Sequence, residues 1–206
     1  MNSQPPDAYA EFMRQARESP AGIASFLSEE LPWFWRDVYV AATPGATNII
    51  RFGLGTFEYI VDDYQTLEQT GAAPQHPTRE SRLVVAHGLS SPRPRKRDDH
   101  RLRGWVGPTH EMFGPQWDKG HFIGHSLGGA VDGFEANVFV QRRDLNRGWS
   151  EVGKRFRTME TFCKRNPGTF CFSRPLYEDE TSRRAALEFG ALRSGELWVE
   201  VFRNTY

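Results

Sequence analysis

The chain has 206 residues, with 26 Lys and Arg balanced by 26 Asp and Glu, so its formal net charge at pH 7 is zero. That length suits one domain, and the composition is that of a folded globular protein without an apolar run long enough to cross a bilayer. Neutrality argues against a nucleic-acid binder that depends on overall positive charge, although basic residues are concentrated at 93–97 and 142–157.

The first third of the chain is predicted to be helical. Asp7 can cap a first helix. A second helical pattern begins at Ile23 and leads into Pro32, which can start a new helix or mark a kink. Apolar residues across 57–67 recur at helical spacing again. We therefore predict a helical N-terminal region over 1–74, packed with the remainder as one compact unit.

The remainder, 75–206, mixes strands and helices. A strand-like run at 83–86 precedes a loop rich in Pro and Arg at 91–99. Further on come short strands, one strong helix, a helical patch at 184–189 and a closing strand at 197–202. Because the elements follow no βαβ rhythm, they predict an α+β fold with an antiparallel sheet.

A lipase-like pentapeptide occurs at Gly124–Gly128, where Gly-His-Ser-Leu-Gly matches the nucleophile elbow of α/β-hydrolases. In that fold the catalytic His follows the Ser, whereas all 6 histidines of this chain precede Ser126. The flanking residues also lack the buried strand that an elbow needs. We therefore interpret Ser126 as a loop residue and keep the hydrolase as a distant alternative.

Three motifs follow one another in the second half: Asp118-Lys119-Gly120-His121, then Asn137 with Gln141, then Leu145-Asn146. Together they resemble the DNA/RNA non-specific endonucleases, which are His-Me finger (ββα-metal) nucleases. That family carries Asp-Arg-Gly-His, a strand with Asn-x-x-x-Gln, and a helix with a metal-binding Asn. The resemblance covers roughly the C-terminal half and implies a ββα-metal motif.

The residues themselves predict the same local structure. The β-prone run at 138–140 can pair with the segment after His121. Asp144 is a plausible N-cap for the helix that follows. Apolar residues form one stripe along this helix: Leu145, Trp149, Val152, Phe156, Met159 and Cys163. A separate face beside the stripe presents Asn146, Ser150, Gly153 and Arg157.

The resemblance implies roles for these residues. His121 would be the general base, Asn146 the main ligand of Mg²⁺ (Mn²⁺ can substitute), and Asp118 would bind through metal-bound water. Asn137 would orient the site, and Arg157 matches an arginine near the phosphate. Lys119 stands where the family usually has Arg. We expect the nearby basic residues to contact DNA or RNA: Arg142, Arg143, Arg147 and Lys154.

Two features qualify this interpretation. The family often carries a Glu where alignment puts Gly153, so an alternative function is a catalytically impaired nucleic-acid-binding or interaction protein. His125 could suggest a Zn²⁺ pair with His121, but no carboxylate or thiol has suitable spacing. The two cysteines, Cys163 and Cys171, favour buried free thiols over a disulfide.

The N-terminal segment has neither the basic start nor the apolar core of a signal peptide. We therefore expect a protein that is cytoplasmic or exported by a specialised secretion system, with no membrane partner. The resemblance to this family suggests one such role, that of an antibacterial toxin effector, for which an immunity protein would be the partner.

Overall fold

The computed structural model describes residues 6–43, 45–46, 48–66, 78–92, 113–130, 135–178 and 184–206. Its helices are α1 (Pro6–Glu18), α2 (Ile23–Ala42), α3 (Arg143–Arg147) and α4 (Glu151–Arg165). Its strands are β1 (Ile49–Leu54), β2 (Phe57–Thr66), β3 (Thr78–Leu89), β4 (Trp117–His121), β5 (Val138–Arg142), β6 (Phe170–Tyr177), β7 (Arg184–Arg193) and β8 (Glu196–Arg203). Two 3-10 turns lie at His125–Leu127 and Glu135–Asn137.

A six-stranded antiparallel sheet in the order β1-β2-β3-β6-β7-β8 forms the middle layer. Successive side chains of a strand point to opposite faces. Tyr59 and Val61 accordingly join the core shared with β4, β5 and α4, whereas Ile60 joins the core under α1 and α2. The predicted α+β class with an antiparallel sheet is confirmed.

The N-terminal helices cover one face of this sheet. In α2 the buried residues Leu27, Leu31, Trp35 and Tyr39 recur every four positions, which places them on one side of the helix. Pro32 lies inside α2, which is a single helix at that point. α1 begins at Pro6, so Asp7 lies within its first turn and does not precede it.

A buried hydrogen-bonded chain ties these helices to the sheet. The indole Nε1 of Trp35 donates to the hydroxyl of Tyr9 at 3.0 Å, and that hydroxyl donates to Glu188 at 2.8 Å. Glu188 also accepts from Nε of Arg174 at 2.7 Å, within the sheet. A buried carboxylate is tolerated only when paired, so each member of this chain requires the others.

Two predicted helices are strands. The 57–67 pattern forms β2, and the 184–189 patch forms part of β7. In both strands the two faces are buried by different layers, so apolar residues do not alternate with polar ones and their spacing imitates a helix. The strands predicted at 83–86 and 197–202 are confirmed within β3 and β8.

After α2, which ends at Ala42, the helical content predicted for 1–74 is wrong at β1 and β2, and residues 67–74 lie outside the described part of the chain. β1 and β2 belong to the same sheet as the later strands, and β2 pairs with β3 from Phe57 opposite Gly88 to Thr66 opposite Thr78. This pairing crosses the boundary predicted between 74 and 75. The basic stretch at 93–97 and most of the loop predicted at 91–99 lie outside the described residues, as do His76, His100 and His110.

None of the helices in the described part of the chain combines the length and apolarity needed to cross a membrane.

Candidate active site

The second face of the sheet carries a two-stranded antiparallel hairpin, β4–β5. Its register sets His121 opposite Val138 and Asp118 opposite Gln141. The predicted strand at 138–140 therefore pairs with residues up to His121, not after it. Gly120 is required here because any Cβ would lie 2.6 Å from the Cβ of Gln141 and collide with its amide oxygen.

The short helix α3 follows β5 directly and packs against the hairpin beside Asp118. Arg143 and Arg147 are four residues apart and so present their guanidinium groups on one face of α3. Arg143 donates through Nε to Asp118 at 3.0 Å. Arg147 donates through Nε at 2.7 Å and through a terminal nitrogen at 3.1 Å. Asn146 completes the set, its amide nitrogen donating to Asp118 at 3.3 Å.

We refer to Asp118, Arg143, Asn146 and Arg147 as the Asp118 cluster. Burial raises the pKa of Asp118, but the hydrogen bonds from Arg147, Arg143 and Asn146 outweigh it and hold that pKa below its ordinary value. The carboxylate is therefore ionised at neutral pH. With two guanidinium groups on one carboxylate, the cluster carries a net positive charge, which suits an anionic ligand.

Strand geometry separates the side chains of β4 into two sets. Asp118 and Gly120 project to the side that Gln141 and Phe139 also face, where Phe139 stacks on Phe122 with ring centroids 4.4 Å apart. Alternation sends Lys119 and His121 to the other side of the ribbon. Burial lowers the pKa of Lys119. Regular alternation thus sets His121 on the side opposite Asp118 and its neighbour Asn146. The convergence of His121 and Asn146 on one ion stays a prediction, and it requires His121, the last residue of β4, to depart from that alternation.

Asn137 holds the segment that follows His121. Its side-chain oxygen accepts from the backbone N–H of Ile123 at 3.0 Å, and its amide nitrogen donates to the carbonyls of Ile123 at 3.0 Å and Ala130 at 2.7 Å. Asn137 is fully buried and satisfied by these bonds. Its orienting role in the site stays a prediction, and these contacts are the means by which it would act.

The predicted helix after Asp144 is two helices. α3 ends at Gly148, whose φ of +69° suits glycine, and α4 begins after Ser150, whose hydroxyl accepts from the N–H of Gly153. Ser150, not Asp144, is therefore the N-cap of the long helix. Asp144 lies in the first turn of α3 and accepts from Arg142 at 2.7 and 3.0 Å. Trp149, predicted in the buried stripe, is 62% exposed.

Gly153 has a packing role. A Cβ at this position would collide with the carbonyl oxygen of Asp144 and lie 3.0 Å from the Cα of Gly148, so the start of α4 touches the α3 backbone. A glutamate could not be accommodated here without separating the two helices. The close contact at this junction therefore explains the glycine at position 153.

The remaining predicted basic residues have partners outside the Asp118 cluster. Arg157 is paired with Glu160 at 3.7 Å, and Lys154 with Glu151 at 2.5 Å on the surface of α4. Arg142 also covers the ring of Tyr206 at 4.6 Å. Because these pairings occupy three of the predicted basic residues elsewhere, Arg143 and Arg147 are the two that the structure brings to Asp118.

Glu160 is a notable residue that the sequence interpretation overlooked. Its side chain is only 13% exposed and lies against the loop at Gly124, three residues after His121. Burial raises its pKa to about 7, with Arg157 acting in the opposite direction. A glutamate in the middle of a helix normally faces water, so only its place near the buried stripe of Phe156, Met159 and Cys163 could have signalled its burial.

The donor set can be compared with what a divalent cation needs. Within the described ranges, no group of three or more His, Cys, Asp and Glu side chains is arranged to hold a metal ion. Asp118 and Asn146 nevertheless adjoin, and carboxylate and amide oxygens are the hard donors that Mg²⁺ prefers. These two residues could supply two ligands to a hydrated ion whose other ligands are water and substrate oxygens. They are too few to form a site in which every ligand comes from the protein.

The other sequence features take structural roles. Ser126 lies in the 3-10 turn His125–Leu127, without the strand-to-helix geometry of a nucleophile elbow. Cys163 and Cys171 are buried free thiols. A hydrogen bond with Cys163, together with burial, raises the pKa of Cys171 well above its ordinary value, so the Cys171 thiol is protonated at neutral pH.

No protein-family model matches the chain, and no curated protein matches it. Among solved structures, it is similar to the Sda1 nuclease with a bound zinc ion, at 14% sequence identity and a TM-score of 0.40. The likeness covers 81% of this chain and 93% of that chain.

Proposed function

We propose that this protein is a metal-dependent, sequence-nonspecific endonuclease that hydrolyses DNA and/or RNA phosphodiesters. The observation that supports this best is the Asp118 cluster. Two guanidinium groups, a carboxylate and an amide meet at distances of 2.7 to 3.3 Å on a hairpin-plus-helix unit whose first strand ends in His121.

The chemistry of the reaction assigns a task to each group. Arg143 and Arg147 would bind the non-bridging oxygens of the phosphodiester, since a guanidinium matches phosphate with paired hydrogen bonds. His121 would accept a proton from the attacking water, because an imidazole titrates near neutral pH. This role requires the imidazole, at the end of β4, to depart from regular strand alternation and reach the Asp118 side of the hairpin. Asn137 would keep His121 in place by fixing the segment that follows it.

Asp118 and Asn146 are the residues that would hold Mg²⁺ or Mn²⁺. When bound, such an ion supplies a positive charge that stabilises the phosphorane-like transition state. Two protein oxygens beside two guanidinium groups bind a cation weakly. Substrate phosphate would therefore have to contribute to its coordination, and substrate and metal would favour each other's binding.

A cleavage assay with a matched pair of histidine variants tests the proposal. Supercoiled plasmid and a structured RNA are incubated with the full chain and Mg²⁺, Mn²⁺ or EDTA. The wild type should cut in either metal and not in EDTA, and His121→Ala should lose at least about a hundredfold in rate. His125→Ala, four residues on, should cut like the wild type. Intact DNA and RNA in both metals would refute the proposal.

A second function is favoured by the charge of the same cluster. Because Asp118 is already neutralised by two arginines, the site can bind an anion without any metal. The protein would then be a nucleic-acid-binding or interaction protein on a nuclease scaffold. Tight oligonucleotide binding in EDTA, with no cleavage under any metal condition, would establish this function instead.

The biological role proposed for the endonuclease is that of an antibacterial toxin effector with an immunity protein as partner. It rests on the resemblance of the three sequence motifs. Expression of the wild type inside a bacterial host should arrest growth and degrade nucleic acid, whereas His121→Ala should do neither. Normal growth with a protein that is active in vitro would contradict the toxin role and leave the nuclease chemistry standing.

A further inference from the structure

The junction between α3 and α4 exposes a tryptophan next to the Asp118 cluster. Trp149 is 62% exposed. It follows Gly148, which turns the chain out of the helix with a φ of +69°. The backbone N–H of Trp149 donates to the carbonyl of Asp144 at 2.9 Å, and that of Gly148 donates to Leu145 at 3.3 Å. The junction is therefore a built turn that holds the indole outward.

The indole is linked to the cluster through a single side chain. The guanidinium carbon of Arg147 lies 5.0 Å from the centre of the Trp149 ring, within cation–π range. The same guanidinium binds Asp118 through two nitrogens. A phosphate that replaces or joins Asp118 on Arg147 would thus lie one side chain away from a flat apolar ring.

Exposed tryptophans are not unusual by themselves, and the chain contains a useful comparison. Trp33 on α2 is 46% exposed and also lies under guanidinium groups, those of Arg36 at 4.7 Å and Arg51 at 5.2 Å. It belongs, however, to the helical layer on the opposite face of the sheet from the hairpin. Trp149 is distinguished because its Arg147 shares one carboxylate with Arg143 in a cluster of net positive charge. Arg36 and Arg51 are each paired with a carboxylate of their own, those of Asp37 and Glu58.

We propose that Trp149 stacks on a nucleobase of the substrate while Arg147 binds the neighbouring phosphate, so that the preferred substrate is nucleic acid with unpaired bases. This proposal rests on the proposed function of the Asp118 cluster. A duplex hides the flat faces of its bases within the stack, whereas a single strand leaves them open to an aromatic side chain. Stacking tolerates any base, which agrees with cleavage that is not sequence-specific.

Binding in EDTA separates stacking from catalysis. Fluorescence anisotropy of a labelled 12-nucleotide DNA, single-stranded or annealed to its complement, is measured with the wild type, Trp149→Ala, Trp149→Phe and Trp33→Ala. Trp149→Ala should weaken single-strand binding by about 5- to 150-fold and leave duplex binding nearly unchanged. Trp149→Phe should retain most of the affinity, and Trp33→Ala should match the wild type.

An oligonucleotide of the same length without bases supplies the second measurement. The wild type and Trp149→Ala should bind this abasic strand equally, because only the base can contact the indole. Equal losses on single-stranded, duplex and abasic DNA, or no loss on any of them, would overturn the stacking proposal.

The two proposals fail separately. If His121→Ala abolishes cleavage but Trp149→Ala binds single strands like the wild type, stacking is wrong and the nuclease stands. If Trp149→Ala loses single-strand affinity while no metal supports cleavage, Trp149 stacks on bases in a protein that binds nucleic acid without cleaving it.

Discussion

Arg147 donates two hydrogen bonds to Asp118, at 2.7 and 3.1 Å, and thereby joins α3 to the first strand of the hairpin. The carboxylate occupies the guanidinium nitrogens that a phosphate would use. Asp118 would therefore have two opposed effects on the binding of the proposed substrate. It keeps the arginines in position, and it competes with the anion for their hydrogen bonds.

The variant Asp118→Asn should separate these effects. Without the negative charge, Arg143 and Arg147 become better anion ligands, so oligonucleotide affinity in EDTA should rise about three- to tenfold. Cleavage in Mg²⁺ should fall about 10- to 100-fold, because a carboxylate at the metal position is lost. The matched control is Asp37→Asn, which removes an exposed Asp paired with Arg36 on α2 and should alter neither quantity. Weaker binding in EDTA would contradict the competition.

Glu160 should make the stability of the fold depend on pH. Its pKa is about 7 in the folded protein and 4.5 ordinarily, so between these values the folded state binds more protons than the unfolded state. The contribution of Glu160 to the free energy of unfolding therefore falls as pH rises from 4.5 to 7 and is constant above that range, whereas buried His87, whose pKa is lowered from 6.5 to about 4, contributes in the opposite direction. From about 1.4 kcal/mol for each pH unit, the loss from Glu160 is at most about 3.5 kcal/mol.

The variant Glu160→Gln should remove this dependence. Urea unfolding at pH 8 should show it to be more stable than the wild type by up to about 3.5 kcal/mol, and at pH 4 the two should be alike. Glu151→Gln, on an exposed part of the same helix, should show no comparable gain. A wild type and a Glu160→Gln protein that keep a constant stability difference from pH 4 to 8 would rule out the raised pKa.

The contact between α3 and α4 should be sensitive to a single methyl group. Gly153→Ala places a Cβ against the backbone of Asp144 and Gly148, which cannot rotate away, so it should cost about 1 to 3 kcal/mol of stability. The higher helix propensity of Ala works in the opposite direction, by up to about 1 kcal/mol. Gly53→Ala meets its nearest neighbour only at 3.9 Å and is the control. Thermal unfolding of Gly153→Ala at or above the wild-type midpoint would disprove the tight junction.

The sequence predicted those elements whose apolar residues face one layer. In α2 the spacing of Leu27, Leu31 and Trp35 is that of one helix face, and the structure has a helix there. The β-prone residues at 138–140 also predicted a strand, but they were expected to pair after His121, whereas their partner β4 ends at His121. β2 escaped prediction because Tyr59 and Ile60 are buried by different layers, which removes the alternation that identifies a strand.

The same limitation applies to the candidate site. The helical spacing of Leu145, Trp149 and Val152 indicated one stripe, but Gly148 and Ser150 divide the helix and expose the tryptophan. Sequence spacing could not reveal that a glycine inside the pattern adopts a positive φ. The burial of Glu160 also depends on a loop from another part of the chain, so its place beside the buried stripe of α4 was the one sequence signal for it.

Metal affinity offers the last prediction, because the cluster supplies few oxygens and much positive charge. Isothermal titration of the wild type with Mg²⁺ should show binding at least about tenfold tighter with a non-cleavable phosphorothioate oligonucleotide than without it. Phosphate oxygens would complete the shell of the ion and offset the charge of Arg143 and Arg147. Asn146→Ala should abolish this enhancement.

The variant Asn146→Asp tests whether residue 146 binds the metal ion directly. A second carboxylate next to Asp118 should tighten Mg²⁺ binding in the absence of oligonucleotide, since each added negative ligand favours the dication. If position 146 is not at the ion, the charge change acts only on the arginines and leaves Mg²⁺ binding as in the wild type. Equal Mg²⁺ affinity with and without oligonucleotide, combined with an indifferent Asn146→Asp, would remove Asn146 from the metal site and with it the predicted convergence on His121.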